Sequence, residues 1–129
     1  MSLNQLAHTY MQSRNDTYVM ELAIQYIRRN YPKPITLAMV SNEVSLNYAY
    51  FSTMFSKYTG KTFSEYLRNT RMEKAKELLR QPDISIAEVA AQVGYENYKS
   101  FYRAFKDAVG TTPVEYQQKK YRIHREDEK

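Results

Sequence analysis

The stretch ISIAEVAAQVGYENYKSFYRAFKDAVGTTPVEY, residues 84–116, decides the fold of this chain, because a looser copy of it occurs earlier in the same sequence. The earlier copy lies about fifty residues upstream. The first part of the alignment has an offset of forty-nine and pairs Ile35, Thr36, Leu37, Val40 and Val44 with Ile84, Ser85, Ile86, Val89 and Val93. After a one-residue slip, the second part pairs Phe51, Phe55, Gly60 and Tyr66 with Phe101, Phe105, Gly110 and Tyr116. Such a repeat indicates two similar supersecondary units.

Each copy has the pattern of a short helix, a tight turn and a longer helix. Four polar residues are placed to cap these helices, with side-chain oxygens that can accept from N–H groups of the first turn: Thr36, Asn47, Ser85 and Asn97. A glycine, Gly60 or Gly110, follows each longer helix, where a residue free to adopt positive φ is favoured. The lengths predict two helix-turn-helix units, at residues 36–60 and 85–110.

Residues 62–80, between the two units, contain neither glycine nor proline and carry apolar or small residues at helical spacing. We therefore predict one long linker helix, whose nineteen residues at about 1.5 Å each span roughly 28 Å. This length approaches the roughly 34 Å between successive turns of the major groove on one face of a duplex.

A further helix is predicted before both units, over residues 17–31, and Pro32 and Pro34 end it. Its apolar stripe consists of Val19, Met20, Ala23, Ile24 and Ile27. Residues 1–16 lack such a stripe and are predicted to form a flexible tail or linker, and the mostly charged residues 121–129 a C-terminal tail. The folded domain is thus expected at residues 17–120.

The composition supports an all-α fold of one domain, since the 129 residues include only three glycines and four prolines and the long stretches have helical period. The absence of cysteine excludes disulfides, thiolate zinc sites and cysteine nucleophiles. A formal net charge of +5 favours an anionic partner, with nucleic acid as the leading candidate. No apolar run has the length of a membrane span or a secretory signal, so we expect no membrane partner. The absence of cysteine fits a reducing cytoplasm, which is the expected location.

Helical periodicity separates a buried from an outward stripe on each longer helix. The predicted buried stripes are Phe51, Met54, Phe55 and Tyr58 in the first unit and Phe101, Ala104, Phe105 and Ala108 in the second. The predicted outward stripes are Ala49, Ser52, Thr53 and Ser56 in the first unit and Lys99, Tyr102, Arg103 and Lys106 in the second. The repeat therefore extends to the outward faces.

The second outward stripe has the chemistry of a DNA reader. Arg103 can donate two hydrogen bonds to O6 and N7 of a guanine, and Lys99 and Lys106 can reach a base or a phosphate. The first stripe lacks lysine and arginine, although Ser52 and Thr53 can make short hydrogen bonds and a methyl group can pack on thymine. Four further residues are predicted to contact phosphates: Lys57, Lys61, Arg71 and Thr112. The mixed charges of the linker helix are read as a solvated face.

Other functional classes can be weighed on the same residues. The same scaffold could present its outer face to a protein such as RNA polymerase, because fold alone does not decide function. The thirteen tyrosines could stack on single-stranded nucleic acid, but most occupy helix positions that favour packing. Catalysis and metal binding are not expected, since His8 and His124 lie in the predicted tails and the carboxylates do not converge.

Residues 84–116 closely resemble the signature of the AraC/XylS family of transcription regulators. The resemblance is carried by the I-A-E-V-A start, the V-G-Y turn, the F-x-R-x-F-K helix and the G-x-T-P-x-x-Y close. It extends upstream through FSEYLRNTRMEKAKELL and the first unit, over residues 19–118. The short, regular spacing is most similar to the output domain of YesN-type response regulators.

The resemblance implies seven helices in two homeodomain-like helix-turn-helix units, whose third and sixth helices enter neighbouring major grooves of double-stranded DNA. The base-reading positions that it implies are Ala49, Ser52 and Thr53 in the first unit and Tyr98, Lys99, Ser100, Tyr102 and Arg103 in the second. The sequence departs from the family pattern at Thr53, where arginine is frequent, and at Ser100, where tyrosine is frequent. Strong guanine readout is therefore expected of the second unit only.

The family usually joins this domain to a receiver or ligand-binding domain. The chain is thus either a stand-alone regulator or part of a larger one, and the polar residues before Tyr18, together with the Met-Ser-Leu start, favour the second reading. No cofactor and no small-molecule ligand are expected in this domain. A missing domain could supply contacts for a homodimer.

Overall fold

The computed structural model describes the backbone of residues 3–127 and the side chains of residues 15–120. Seven α-helices form this part of the chain, which contains no β-strand. Their bounds are α1 Leu3–Asn30, α2 Leu37–Glu43, α3 Tyr48–Thr59, α4 Phe63–Leu78, α5 Ile86–Gln92, α6 Tyr98–Val109 and α7 Pro113–Asp127. The all-α prediction and the helix-turn-helix order are confirmed.

The chain divides into two compact units. The first contains the residues up to Asn30 together with Ile35–Tyr66, and the second contains Tyr31–Pro34 together with the residues from Leu67 on. Chain order and spatial grouping therefore differ at Tyr31–Pro34, which we call the connector. It joins two helices of the first unit but belongs to the second.

In the first unit, α1 packs against α2 and α3. The buried apolar residues of α1 are those of the predicted stripe, except that Val19 is only half-buried, and Asp16 is buried as well. Phe51 and Phe55 of α3 are fully buried, and Phe55 packs edge-on against Phe63 and Tyr66. Aromatic side chains thus fix α3 by the face that periodicity assigned to the core.

In the second unit, Phe101 and Phe105 of α6 are fully buried with Met72, Leu79 and Val89. Phe105 packs edge-on against Tyr116 of α7, repeating the Phe55–Tyr66 pair of the first unit. The Gln117 side-chain amide donates to the carbonyls of Gln81 and Ile84, at 2.9 Å each, and so ties α7 to the loop between α4 and α5.

The predicted helix caps are confirmed at both units. Thr36, Asn47, Ser85 and Asn97 each accept a hydrogen bond from a backbone N–H in the first turn of the helix that follows. Gly60 and Gly110 end α3 and α6 with φ of 75° and 93°. The turn of the first unit covers residues 44–47 and that of the second 93–97, which accounts for the one-residue slip in the repeat.

Several predicted boundaries differ from the structure. Helix α1 begins at Leu3 and not at residue 17, and α7 continues to Asp127, so both predicted tails are largely helical. Neither stretch contains a glycine or proline that would stop a helix. Helix α4 has 16 residues and not the predicted nineteen. It begins one residue later, because the Thr62 hydroxyl accepts from the Glu65 N–H and acts as a cap outside the helix, and it ends two residues earlier, where Leu79 and Arg80 form a turn.

Two members of the predicted buried stripes are exposed. Tyr58 is 40% exposed and Ala108 is exposed, whereas Thr59 and Val109, one position further along, are half-buried. After two turns at 3.6 residues each, the residue that returns to the core can be the seventh or the eighth. In both helices the eighth is the more buried.

Candidate nucleic-acid interface

Helix α6 presents a cationic outer stripe, formed by Lys99, Tyr102, Arg103 and Lys106. Lys99, Arg103 and Lys106 are exposed, as are Tyr98 and Ser100 in the first turn, while Tyr102 is half-buried with its ring centroid 6.1 Å from that of Tyr98. Phe101 and Phe105 anchor the opposite face in the core. The structure therefore brings together all six sequence-predicted residues of α6 on its accessible side.

The charges of this stripe are available to a ligand. Among the side chains of residues 15–120, no carboxylate forms an ion pair with Lys99, Arg103 or Lys106; the ion pairs described there lie on α4, between Lys74 and Glu77 and between Lys76 and Glu73. Hydrogen bonds from the guanidinium and ammonium groups can thus be directed to an outside acceptor. Guanine O6 and N7, or phosphate oxygens, are acceptors of the right kind.

The outer stripe of α3 consists of short, neutral side chains, those of Ala49, Ser52, Thr53 and Ser56. Ala49 and Thr53 are exposed, and Ser52 and Ser56 are half-buried. The Thr53 hydroxyl donates to the Ala49 carbonyl at 3.1 Å, so its proton is used within the helix and its methyl group and lone pairs remain for a ligand. This stripe can pack on thymine methyl groups and accept a few hydrogen bonds from base donors, but it cannot supply positive charge.

Helix α3 is braced against α1 by two tyrosines that sequence reasoning missed. The Tyr50 hydroxyl donates to the Asp16 carboxylate at 2.8 Å, and the Tyr58 hydroxyl donates to the Glu21 carboxylate. The bond to Glu21 raises the pKa of Tyr58 above its ordinary value. No local pattern signals these bonds, because the partners lie more than thirty positions apart in sequence.

Tyr48 is a further candidate contact that sequence reasoning omitted. It is the first residue of α3 and 55% exposed, and Tyr98, the first residue of α6, is 43% exposed. The repeat itself could have found it, because the alignment that pairs Phe51 with Phe101 also pairs Tyr48 with Tyr98. Both rings stand beside an outer stripe.

Three of the four predicted phosphate contacts keep accessible polar groups. Lys57 and Lys61 are exposed. Thr112 is half-buried, and its hydroxyl oxygen accepts from the Glu115 N–H at 3.1 Å at the start of α7, which leaves the hydroxyl proton to donate.

Arg71 is half-buried and its guanidinium donates hydrogen bonds within the second unit, so its phosphate contact stays a prediction. Its Nε donates to the Tyr31 carbonyl at 2.8 Å and its Nη2 to the Lys33 carbonyl at 3.0 Å. The guanidinium also lies 5.6 Å from the centre of the Tyr95 ring. The sequence shows the charge of Arg71, but it does not show that the two carbonyls, about forty residues earlier, accept its hydrogen bonds.

Two other findings concern only the described residues. There, no three His, Cys, Asp or Glu side chains lie close enough to hold a metal ion, and the side chains of His8 and His124 are outside the described range. No helix in that part of the chain is both long and apolar enough to cross a membrane.

Comparison with known proteins assigns a family to this arrangement. A family model described as a helix-turn-helix domain matches residues 40–119, which include both outer stripes. The regulatory protein PocR of Salmonella typhimurium is 34% identical over 99 residues, which are 77% of this chain and 33% of PocR. The chain therefore spans about a third of that relative's length.

Solved structures show the same fold. The C-terminal domain of the two-component response regulator yesN from Fusobacterium nucleatum is 38% identical, with a TM-score of 0.72 over 75% of this chain and 95% of that one. The DNA-binding domain of AdpA, solved in complex with a target DNA, is 21% identical with a TM-score of 0.76 over 82% and 95%. This chain belongs to the AraC/XylS family of helix-turn-helix transcription regulators and contains the family's DNA-binding domain.

Proposed function

We propose that the chain binds specific sequences of double-stranded DNA, with α6 as the main reading helix and α3 as a weaker one, each in its own stretch of major groove. The observation that carries this proposal is the outer stripe of α6, where Lys99, Arg103 and Lys106 are exposed. No carboxylate among the side chains of residues 15–120 forms an ion pair with them. A helix of this kind on a helix-turn-helix scaffold fits the major groove of B-DNA.

The proposed roles follow from side-chain chemistry. Arg103 reads a guanine by two hydrogen bonds, and Lys99 and Lys106 contact a base or a phosphate. The remaining α6 contacts are Tyr98, Ser100 and Tyr102; the α3 contacts are Ala49, Ser52, Thr53 and Ser56; and the phosphate contacts are Lys57, Lys61 and Thr112. We call the base pairs under the two helices the α3 block and the α6 block.

We place this domain in a larger cytoplasmic regulator as its DNA-binding output. PocR is about three times longer than the part that the chain matches, and the similar yesN structure is the C-terminal domain of a two-component response regulator. A homodimer would then depend on another domain of that regulator. In this domain the contacts with DNA need no cofactor, small molecule or catalytic group.

Contact with a protein such as RNA polymerase is a second candidate, and one face of α1 supports it. Tyr18 is 64% exposed and Leu22 is 38% exposed one turn later. Leu22 and Tyr26 border a pocket of about 370 Å³ whose other lining residues are mostly polar: Gln25, Arg29, Asn30, Glu43 and Val44. Exposed apolar side chains of this kind suit a protein partner better than a phosphate backbone. The two proposals name different residues, since this face is on α1 and the outer stripes are on α3 and α6.

The test is selection of bound duplexes from a random DNA pool at two salt concentrations. We expect a motif with two blocks about 10 base pairs apart, of which the guanine-containing block carries more information. Binding should weaken with salt by a slope near 0.9 per phosphate neutralised. Weak, salt-sensitive binding without a motif would contradict sequence-specific reading by this domain and favour the protein partner.

A further inference from the structure

Arg71 joins three parts of the second unit that precede α6 in the chain. From α4, it donates to two carbonyls of the connector and lies over the ring of Tyr95 in the turn between α5 and α6. A planar guanidinium can hold several partners in a fixed geometry, which a flexible ammonium group cannot do. Arg71 therefore fixes the connector and the turn relative to α4.

The neighbouring glycine shows how tightly this junction is packed. Gly94 has φ of 104°, and a Cβ atom placed there would lie 2.9 Å from the Pro32 carbonyl oxygen and 3.1 Å from Arg71 Nε. The turn can approach the connector and the guanidinium only because Gly94 has no side chain. A shift of Arg71 is thus passed directly to the turn.

The turn between α5 and α6 also contacts α6 itself. The Tyr95 ring lies 5.7 Å from the Phe101 ring, and the Phe101 ring lies 5.8 Å from that of Phe105. Tyr95 is half-buried, and burial raises its pKa. Phe101 is flanked in sequence by Ser100 and Tyr102 and lies two positions from both Lys99 and Arg103, so its placement decides where those side chains point.

We propose that Arg71 is a positioning residue for DNA reading by α6: through Tyr95 and the connector it sets the orientation of α6, and hence the aim of Lys99 and Arg103 at the base edges. This inference rests on the proposed function, in which α6 reads DNA. It replaces a direct phosphate contact of Arg71 with an indirect role in base preference.

The first test is base preference in Arg71→Lys, which keeps the charge but loses the planar fork. Using the duplex selected from the pool and single-base variants of it, we expect discrimination in the α6 block to fall about tenfold and that in the α3 block to persist. Loss of folded protein alone would weaken binding to every duplex equally and leave both preferences unchanged. Arg68→Lys, at an exposed arginine of the same helix, is the matched control and should keep both preferences.

A second pair of variants tests the route through Tyr95. Tyr95→Phe keeps the ring and should retain wild-type preference, whereas Tyr95→Leu removes it and should reproduce the Arg71→Lys loss in the α6 block. Unchanged preference in both Arg71→Lys and Tyr95→Leu would overturn the proposal.

The salt dependence separates positioning from direct contact. In Arg71→Met, a lost phosphate contact would lower the slope of log K against log salt by about 0.9 and weaken all sequences alike, and that result would overturn the proposal. We expect an unchanged slope. Arg103→Ala is measured alongside: if it leaves the α6 block unchanged as well, the proposed function itself fails, whereas a loss in Arg103→Ala without one in Arg71→Lys rejects only the role of Arg71.

Discussion

Phe51 and Phe55 of α3 and Phe101 and Phe105 of α6 are all fully buried, with ring centroids 5.6 Å apart in the first pair and 5.8 Å in the second. The caps before both helices and the glycines after them also correspond. The outer stripes do not: that of α6 carries three cations and that of α3 none. Packing therefore preserves one plan in both units, while the positions that packing leaves free have diverged in chemistry.

The largest expected effect concerns the shared plan. Phe105→Ala should lower the free energy of unfolding by about 3–5 kcal/mol, because it empties a fully buried ring site, and Phe55→Ala should cost the same within the scatter of such sites. Urea denaturation followed by circular dichroism measures both. An unfolding midpoint that stayed at the wild-type value in either variant would mean that the two cores are not equivalent.

The next effect concerns the turns. Gly94→Ala should cost about 2–4 kcal/mol, since the new methyl group meets both the strain of positive φ, about 1–2 kcal/mol, and backbone oxygens that would force overpacking. Gly110→Ala is the matched control, because it has positive φ but nothing within 4 Å of the added atom, and it should show the strain alone. Equal losses in thermal denaturation of the two variants would contradict the close approach at Gly94.

The outer stripes should differ in binding rather than in stability. Arg103→Ala should weaken binding to the selected duplex by about 1–3 kcal/mol and relax preference at one base pair. Thr53→Ala, at the corresponding position of α3, should cost well under about 1 kcal/mol, because the hydroxyl proton is already used within the helix. Titrations by fluorescence anisotropy would measure both, and an equal loss in the two variants would remove the proposed dominance of α6.

The smallest effect sharpens the comparison of the turns. Ser45 has φ of 58° in the first turn, where the repeat places Gly94 in the second. Ser45→Gly should raise the free energy of unfolding by less than about 1 kcal/mol, because relief of the left-handed strain is partly offset by the greater entropy of an unfolded glycine. A loss of stability in this variant would show that the Ser45 side chain makes a stabilising contact.

The sequence predicts most of this fold because its signals are local. Each signal acts within or next to one helix: a cap at Asn97, a glycine at Gly110 and two phenylalanines four residues apart. The repeat contains each of these signals in both units. The sequence does not predict the start of α1 at Leu3 or the end of α7 at Asp127, since both helices extend through polar sequence that carries no stripe. Absence of an apolar period does not exclude a helix where the residues have good helix propensity.

The candidate site divides in the same way. The exposure of Lys99 and Arg103 follows from the position of Phe101 and Phe105 on one helix, so periodicity was enough. The hydrogen bonds of Arg71 and Tyr58 depend on partners that lie thirty-seven or more residues away. A charge or an aromatic ring in a sequence does not show which distant carbonyl or carboxylate it will meet, and only the tertiary structure supplies that information.

The two faces of α6 share no residue, and this has an evolutionary consequence. Substitutions at Lys99 or Arg103 leave the packing of Phe101 and Phe105 untouched, and exposed positions of this kind usually change stability by no more than about 0.5 kcal/mol. A descendant of this protein could therefore acquire a new operator through successive single changes, each of which leaves a folded regulator. Repertoires of target genes can diverge in such a lineage while the scaffold remains the same.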